Sequence, residues 1–378
     1  MKTTTFAVPP PSLLQLVSAH PLRRHAPQHQ KKDGDVVATV VNTVYERATS
    51  GPRVIVYVDQ EGWAYSTVTE QAAEPSPSPE VAPPAVIPAP VVVAAAVAPV
   101  SSPSSSSSPS SGEGSGFGFS YTPYNKDNTC KSQDQVRTDF AAIPSGYSRV
   151  RIYGTDCNQV SNVLSVAKSK GLTIFAGVYN IDNLSQEIGL ITSAANGDWS
   201  TFDTISIGNE LVNSGAASPE KVVAAVNSAR SQLRSAGYTG PVVTVDTLVA
   251  ARANPSLCDA SDFCAVNCHP FFDGTIEAKE SGAFLEREIP TLKSKLANQN
   301  QEIIITETGW PSKGDTNGAA VPSSENQVAA ISSIKSSFSS NPGHIILFTT
   351  FNDLWKVSSP SQFSAEQYWG FLGDSPSG

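Results

Sequence analysis

The stretches TISIGNE (204–210) and IIITETGW (303–310) decide how this chain is read. Each is an apolar, β-branched run that reaches a glutamate, Glu210 in one and Glu307 in the other. β-Branched residues fit a pleated, half-buried surface, so both runs predict strands. A carboxylate at the end of a buried strand is costly unless it is paired or has chemistry to do. Outward from these two runs the chain repeats one theme. Strand-like runs recur at 117–121, 148–153, 172–179, 204–208, 242–246, 264–268, 302–306 and 345–350. Amphipathic stretches at 158–170, 219–236, 284–297 and 325–338 lie between them. The first carries Val160, Val163, Leu164 and Ala167 at helical spacing. The second follows Ser218, a good N-cap, with Pro219 at the first helical position. Strands alternating with helices imply parallel strands joined by crossover helices. Eight such units in about 260 residues predict an α/β fold, a (β/α)8 TIM barrel over 117–378. A doubly wound open sheet fits less well, because no Gly-rich phosphate loop follows a strand.

The front of the chain has a different composition. No Lys or Arg occurs between Arg53 and Lys126, and SSPSSSSSPSS at 101–111 is nine Ser and two Pro. Such a stretch buries too little apolar surface to offset the entropy of ordering it. Residues 72–116 are therefore expected to be a disordered linker, plain or carrying O-linked sugar. Residues 1–19 read as a secretory signal interrupted by Pro9–Pro11. Residues 20–71 read as a pro-region or small β-rich segment, with VVATVV, RVIVYVD and GWAYSTV alternating like a hairpin. The C-terminal stretch FLGDSPSG lacks the hydrophobic tail of a glycolipid-anchor signal.

Residues 117–378 carry 18 basic and 25 acidic side chains, a net charge of −7. That balance disfavours nucleic acid and suits a neutral substrate. No apolar run there is long enough to span a membrane. All five cysteines lie in this region. Cys130 and Cys157 are placed to pair, two of Cys258, Cys264 and Cys268 form a second candidate pair, and one thiol is left over. Cys264 and Cys268 with His269 match no standard zinc spacing, so neither metal nor cofactor is expected. Asn183-Leu184-Ser185 is the one N-glycosylation sequon.

Barrel enzymes work at the C-terminal ends of their strands. Those ends carry Tyr121 and Tyr124, Arg151 and Tyr153, Tyr179, Asn209 and Glu210, and Asp246. Asn267 and His269, Glu307 with Trp310, and Asn352, Asp353 and Trp355 complete the rim. Carboxylates for chemistry, amides for hydroxyl groups and rings for pyranose faces make up the inventory of a sugar site. The blander alternative makes Glu210 and Glu307 structural carboxylates paired with Arg151 and Lys313. His269 reads as a supporting hydrogen-bonder.

The motifs Arg151-Ile-Tyr153, Ile207-Gly-Asn209-Glu210, Asn267-Cys-His269-Pro-Phe-Phe272 and Thr306-Glu307-Thr-Gly-Trp310-Pro-Ser312, in this order, resemble fungal glycoside hydrolase family 17. The resemblance covers 117–378 and implies retaining chemistry on β-1,3-glucan of the cell wall. It implies Glu210 on the fourth strand as acid and then base, and Glu307 on the seventh as nucleophile. It also implies a carboxyl separation of roughly 5–5.5 Å. Asn209 is expected to bond the sugar 2-hydroxyl and Arg151 to keep Glu307 ionised. Tyr153, Tyr179, Trp310 and Trp355 complete the expected substrate contacts. Hydrolysis and glucanosyl transfer share every one of these residues. A secreted, wall-associated monomer is expected, with a non-catalytic glucan-binding protein as the alternative.

Overall fold

The computed structural model describes residues 53–58, 64–70 and 116–378. Arg53–Val58 and Ala64–Glu70 pair antiparallel as a two-stranded sheet, with a register shift at Tyr57/Val58. The signal-like segment 1–19, the VVATVV run and the linker at 72–115 lie outside the described residues.

The C-terminal unit is a closed barrel of eight parallel strands. In chain order they are β1 Phe117–Ser120, β2 Tyr147–Arg151, β3 Thr173–Val178 and β4 Phe202–Asn209. β5 Val242–Thr247, β6 Cys264–Asn267, β7 Ile303–Thr308 and β8 Ile345–Leu347 follow, and β8 pairs with β1 to close the ring. Helices fill the crossovers: α1 Gln133–Ala142, α2 Gln159–Lys170, α3 Leu184–Ala195 and α4 Pro219–Ser235. α5 Leu248–Ala253, α6 Ser256–Asp259, α7 Ser281–Lys293 and α8 Ser324–Ser337 complete the set.

Their ends follow local chemistry. Ser132 and Gln135 form a reciprocal capping box on α1. Ser218 and Ser323 each accept from an amide of the first turn of α4 and α8.

Side chains alternate across each strand, and the core divides accordingly. Ile174, Ala176, Val242, Val266 and Ile305 face the helices in two large clusters. Their neighbours Phe175, Val243, Val245, Ala265, Ile304 and Ile346 form a separate cluster that fills the lumen. A salt bridge between Arg149 and Asp203, both side chains buried, joins β2 to β4 at the end opposite the site. Two disulfides, Cys130–Cys157 and Cys258–Cys264, lie among the described residues, and Cys268 is a buried free thiol. No helix among the described residues is long and apolar enough to cross a membrane.

Candidate active site

β7 is buried along its whole length, and Glu307 sits near its C-terminal end. Its Oε1 accepts from Arg151 NH1 at 2.8 Å, and both side chains are almost fully buried. Arg151 arrives from the end of β2 and serves four acceptors. NH1 also donates to the Thr306 carbonyl at 2.8 Å and to Asn267 Oδ1 at 3.2 Å, and NH2 donates to Asn209 Oδ1 at 2.7 Å. His269 Nε2 lies 3.3 Å from Glu307 Oε2. Burial pushes the Glu307 carboxyl up, but the Arg151 charge and the His269 contact together outweigh it. The group is held below the ordinary carboxylate range. The buried Tyr153 hydroxyl meets no partner at hydrogen-bond geometry. It is nevertheless close enough to Glu307 for burial and that charge to hold the phenol far above its usual range, so it stays neutral.

Glu210 follows β4 and is held differently. Its amide donates to the Val245 carbonyl at 2.9 Å, and its backbone adopts a left-handed φ of 54° after Gly208 at 76°. Residues with a side chain rarely adopt the φ of Gly208, and a Cβ there would also press on the Leu211 side chain, 2.5 Å from its Cδ1. A non-glycine residue in left-handed conformation persists where its surroundings impose it, often at functional sites. Glu210 Oε1 accepts from Asn267 Nδ2 at 2.8 Å. Burial pushes its carboxyl up and the Glu307 charge pushes it further; the Asn267 hydrogen bond pulls back without reversing the sign. Two glutamates of one rim are thus driven in opposite directions.

Asn267, at the end of β6, links them. Its Nδ2 serves Glu210 and Asn209, and its Oδ1 accepts from Arg151 and from Thr306 Oγ1. The Asn209 amide oxygen is committed to Arg151 and Asn267, which leaves its N–H2 to the cleft.

The cleft has a volume of about 1280 Å³, and Asn209, Glu210, Glu307, Tyr153, Tyr179 and Trp355 all line it. Tyr179 is an exposed ring on its lip. Trp355 packs on Tyr124 with ring centroids 4.7 Å apart, and the Tyr124 hydroxyl donates to Asp156 at 2.6 Å. Arg151 does not line the cleft and acts through Glu307 and the two amides.

Trp310 does not reach substrate space, contrary to its expected place in the site. It is completely buried, packs edge-on against Phe271 at 5.4 Å, and donates its indole N–H to the Val321 carbonyl. Lys313 is not the partner of either glutamate and lies over the Tyr368 ring. Asn267 and Tyr124, both on the rim read from the sequence, line the cleft, and so does Trp369, which no motif contains. Asn267 was recognisable as a strand-end amide, but its bridging reach was not. Trp369 lies far along the chain from any motif and packs 4.8 Å from His269.

Residues 118–370 match the family model of the BtgE/BtgC glycoside hydrolase domain. The chain belongs to this glycoside hydrolase family. Cell surface mannoprotein MP65 of Candida albicans is 47% identical over 259 residues, 68% of this chain and 66% of that protein. The "Probable family 17 glucosidase SCW10" of Saccharomyces cerevisiae is 47% identical over 257 residues, 68% and 64% respectively. The family 17 assignment expected from the motifs therefore holds, although the chain spans just under two thirds of these relatives' own length. The family 17 β-1,3-glucanosyltransferase of Rhizomucor miehei superimposes with a TM-score of 0.59 over 70% of this chain and 97% of that one. At 22% identity that likeness shows the shared fold.

Proposed function

We propose that this family 17 barrel is a retaining glycosidase or glucanosyltransferase acting on β-1,3-glucan of the fungal cell wall. The observation that carries the reading is the opposed pair: Glu307 held below the ordinary carboxylate range by buried Arg151, Glu210 pushed above it by burial and the Glu307 charge. Pairs whose environments push their proton affinities apart assign the acid and the nucleophile.

In the first step the Glu307 carboxylate bonds to the anomeric carbon as the glycosidic C–O bond breaks. Glu210 gives its proton to the leaving oxygen. In the second step Glu210, now anionic, takes a proton from water or a sugar hydroxyl. That oxygen bonds to the anomeric carbon and releases Glu307. The free N–H2 of Asn209 suits the 2-hydroxyl, and Tyr179, Trp355 and Tyr124 suit glucose faces.

We favour transfer over hydrolysis, because a Ser/Pro-rich stalk suits residence in the wall. Secretion and wall location rest on the leader-like 1–19, the stalk at 72–116 and the cell-surface name of one relative. The hairpin-bearing 20–71 segment is proposed as a pro-region or wall-contacting piece, and the barrel as the catalytic unit.

The test is incubation of the full chain with reduced laminari-oligosaccharides, followed over time by mass spectrometry. Products longer than the substrate are expected. Shorter products alone make it a hydrolase. No turnover by folded protein overturns the catalytic reading in favour of a glucan-binding protein.

A further inference from the structure

Asp246 takes no part in the mechanism above, yet it is a carboxylate 2% exposed at the end of β5, next to the strand that carries Glu210. Its Oδ2 accepts from the Val212 amide at 2.9 Å. Its Oδ1 accepts from the amides of Asn213 at 3.2 Å and Thr247 at 2.8 Å. Burial pushes the Asp246 carboxyl above its usual range, and the three N–H bonds, each favouring the charged form, pull back without reversing the sign.

Two of those amides belong to the turn immediately after Glu210. That turn is knotted further by Ser214, whose amide and hydroxyl both donate to the Glu210 carbonyl, and by Thr247 Oγ1 donating to Asn213 Oδ1. The left-handed Glu210 backbone therefore lies between two fixed points on β5: the Val245 carbonyl that accepts its own amide, and the Asp246 carboxylate that holds the next turn.

We propose that Asp246 is a positioning residue for Glu210: it fixes the turn that aims the acid and places a second buried carboxylate beside it. The proposal rests on the reading of Glu210 as the acid. The titratable groups that face Glu210 are Glu307 from β7, His269 after β6 and Asp246 from β5; Arg151 from β2 reaches it only through Asn209 and Asn267. Glu307 and Asp246 disfavour ionisation of Glu210, and His269 favours it. Asp246 is the one of these that also holds the Glu210 turn through backbone amides.

The test is Asp246→Asn in the full chain. The substitution keeps the shape, removes the charge and sets an N–H2 against the Val212 amide. With one negative charge gone, the ionised form of Glu210 is less disfavoured, so its proton affinity falls. The alkaline limb of kcat/KM on laminari-oligosaccharides, which reports the acid of the free enzyme, moves to lower pH. The acid limb stays in place. kcat falls roughly ten- to a hundredfold from misplacement of the acid, while KM stays within about twofold.

A readout independent of turnover is the titration of Glu210 by carbon-13 NMR of Glu-labelled protein, assigned with Glu210→Gln. It moves to lower pH in the variant. If Asp246→Asn does not fold, as judged by circular dichroism and a single melting transition, Asp246→Ser removes the same charge. An unmoved Glu210 titration in a folded variant overturns the proposal, even if the parent enzyme turns over glucan. A moved titration in a parent that turns over no glucan leaves Asp246 as described and defeats the glucanase reading instead.

Discussion

Arg151 and Asn267 show how much of this site lies one step behind the reacting groups. Arg151 uses one planar fork for Glu307, two amide oxygens and a backbone carbonyl. Lysine offers a single point charge and cannot serve all four. Arg151→Lys is expected to lower kcat roughly a hundredfold and to move the acid limb of kcat/KM to higher pH, because Glu307 loses stabilisation of its charged form. An acid limb that stays put removes Arg151 as the cause. The same depressed proton affinity links to stability. Its contribution is complete above the ordinary carboxylate range and is lost as pH falls through the lower folded value. The melting temperature of the wild type relative to Glu307→Gln should therefore improve as pH rises through the acid range. Asn267→Ala works in the other direction on Glu210. Removing a donor to the carboxylate raises its proton affinity further, so the alkaline limb moves to higher pH, opposite in sign to Asp246→Asn. Both glutamates were legible in the sequence because a charge ends an apolar run. Asn267 was legible as a strand-end amide, but its bridging was not, because it depends on four side chains from elsewhere in the barrel, Arg151, Asn209, Glu210 and Thr306, and no local spacing encodes that.

Strands and helices were legible to the extent that their burial is one-sided or complete. The eight barrel runs read as strands because both faces are buried and β-branched residues dominate. The helix after Cys130, α1, is the fainter kind of signal, because its sequence, QDQVRTDFAA, buries only Val136, Asp139 and Phe140. Trp310 was misjudged for a related reason. It follows β7 within a motif, but its side chain turns into a buried apolar cluster with Phe271, Trp369 and Ala330 rather than toward the cleft. The cysteine pairing of 130 with 157 was legible, and the choice of Cys258 and Cys264 over Cys268 was decided by the fold. The first bridge and the Tyr124–Asp156 hydrogen bond brace the same two loops behind Trp355. Replacing Cys130 and Cys157 by Ser is expected to cost roughly 3 kcal/mol, seen as a lower Tm, and to raise KM more than it lowers kcat. The bridge of Cys258 and Cys264, with a sequence separation of 6 against 27, should cost less. Equal losses would contradict the loop-length argument.

At the scale of the whole molecule, the acidic barrel and the Ser/Pro-rich front suit a neutral polysaccharide and an extracellular setting. A neutral substrate gains nothing from long-range attraction, so kcat/KM on laminari-oligosaccharides should be nearly flat between low and physiological ionic strength. A steep fall with salt would point to a charged ligand. The one sequon, at Asn183, is exposed ahead of α3 with no capping hydrogen bond from its side chain. Protein secreted from a eukaryotic host should lose one N-glycan's mass on endoglycosidase treatment, and an unchanged mass would show the site unused. The central claim is a covalent sugar on Glu307, and the most direct measurement is to trap it. The full chain is treated with a 2-deoxy-2-fluoro laminaribiosyl fluoride, digested, and mapped by mass spectrometry. The account predicts one added glycosyl unit on the peptide that contains Glu307, absent in Glu307→Gln. An adduct on another residue, or none in protein that turns over laminari-oligosaccharides, would contradict it.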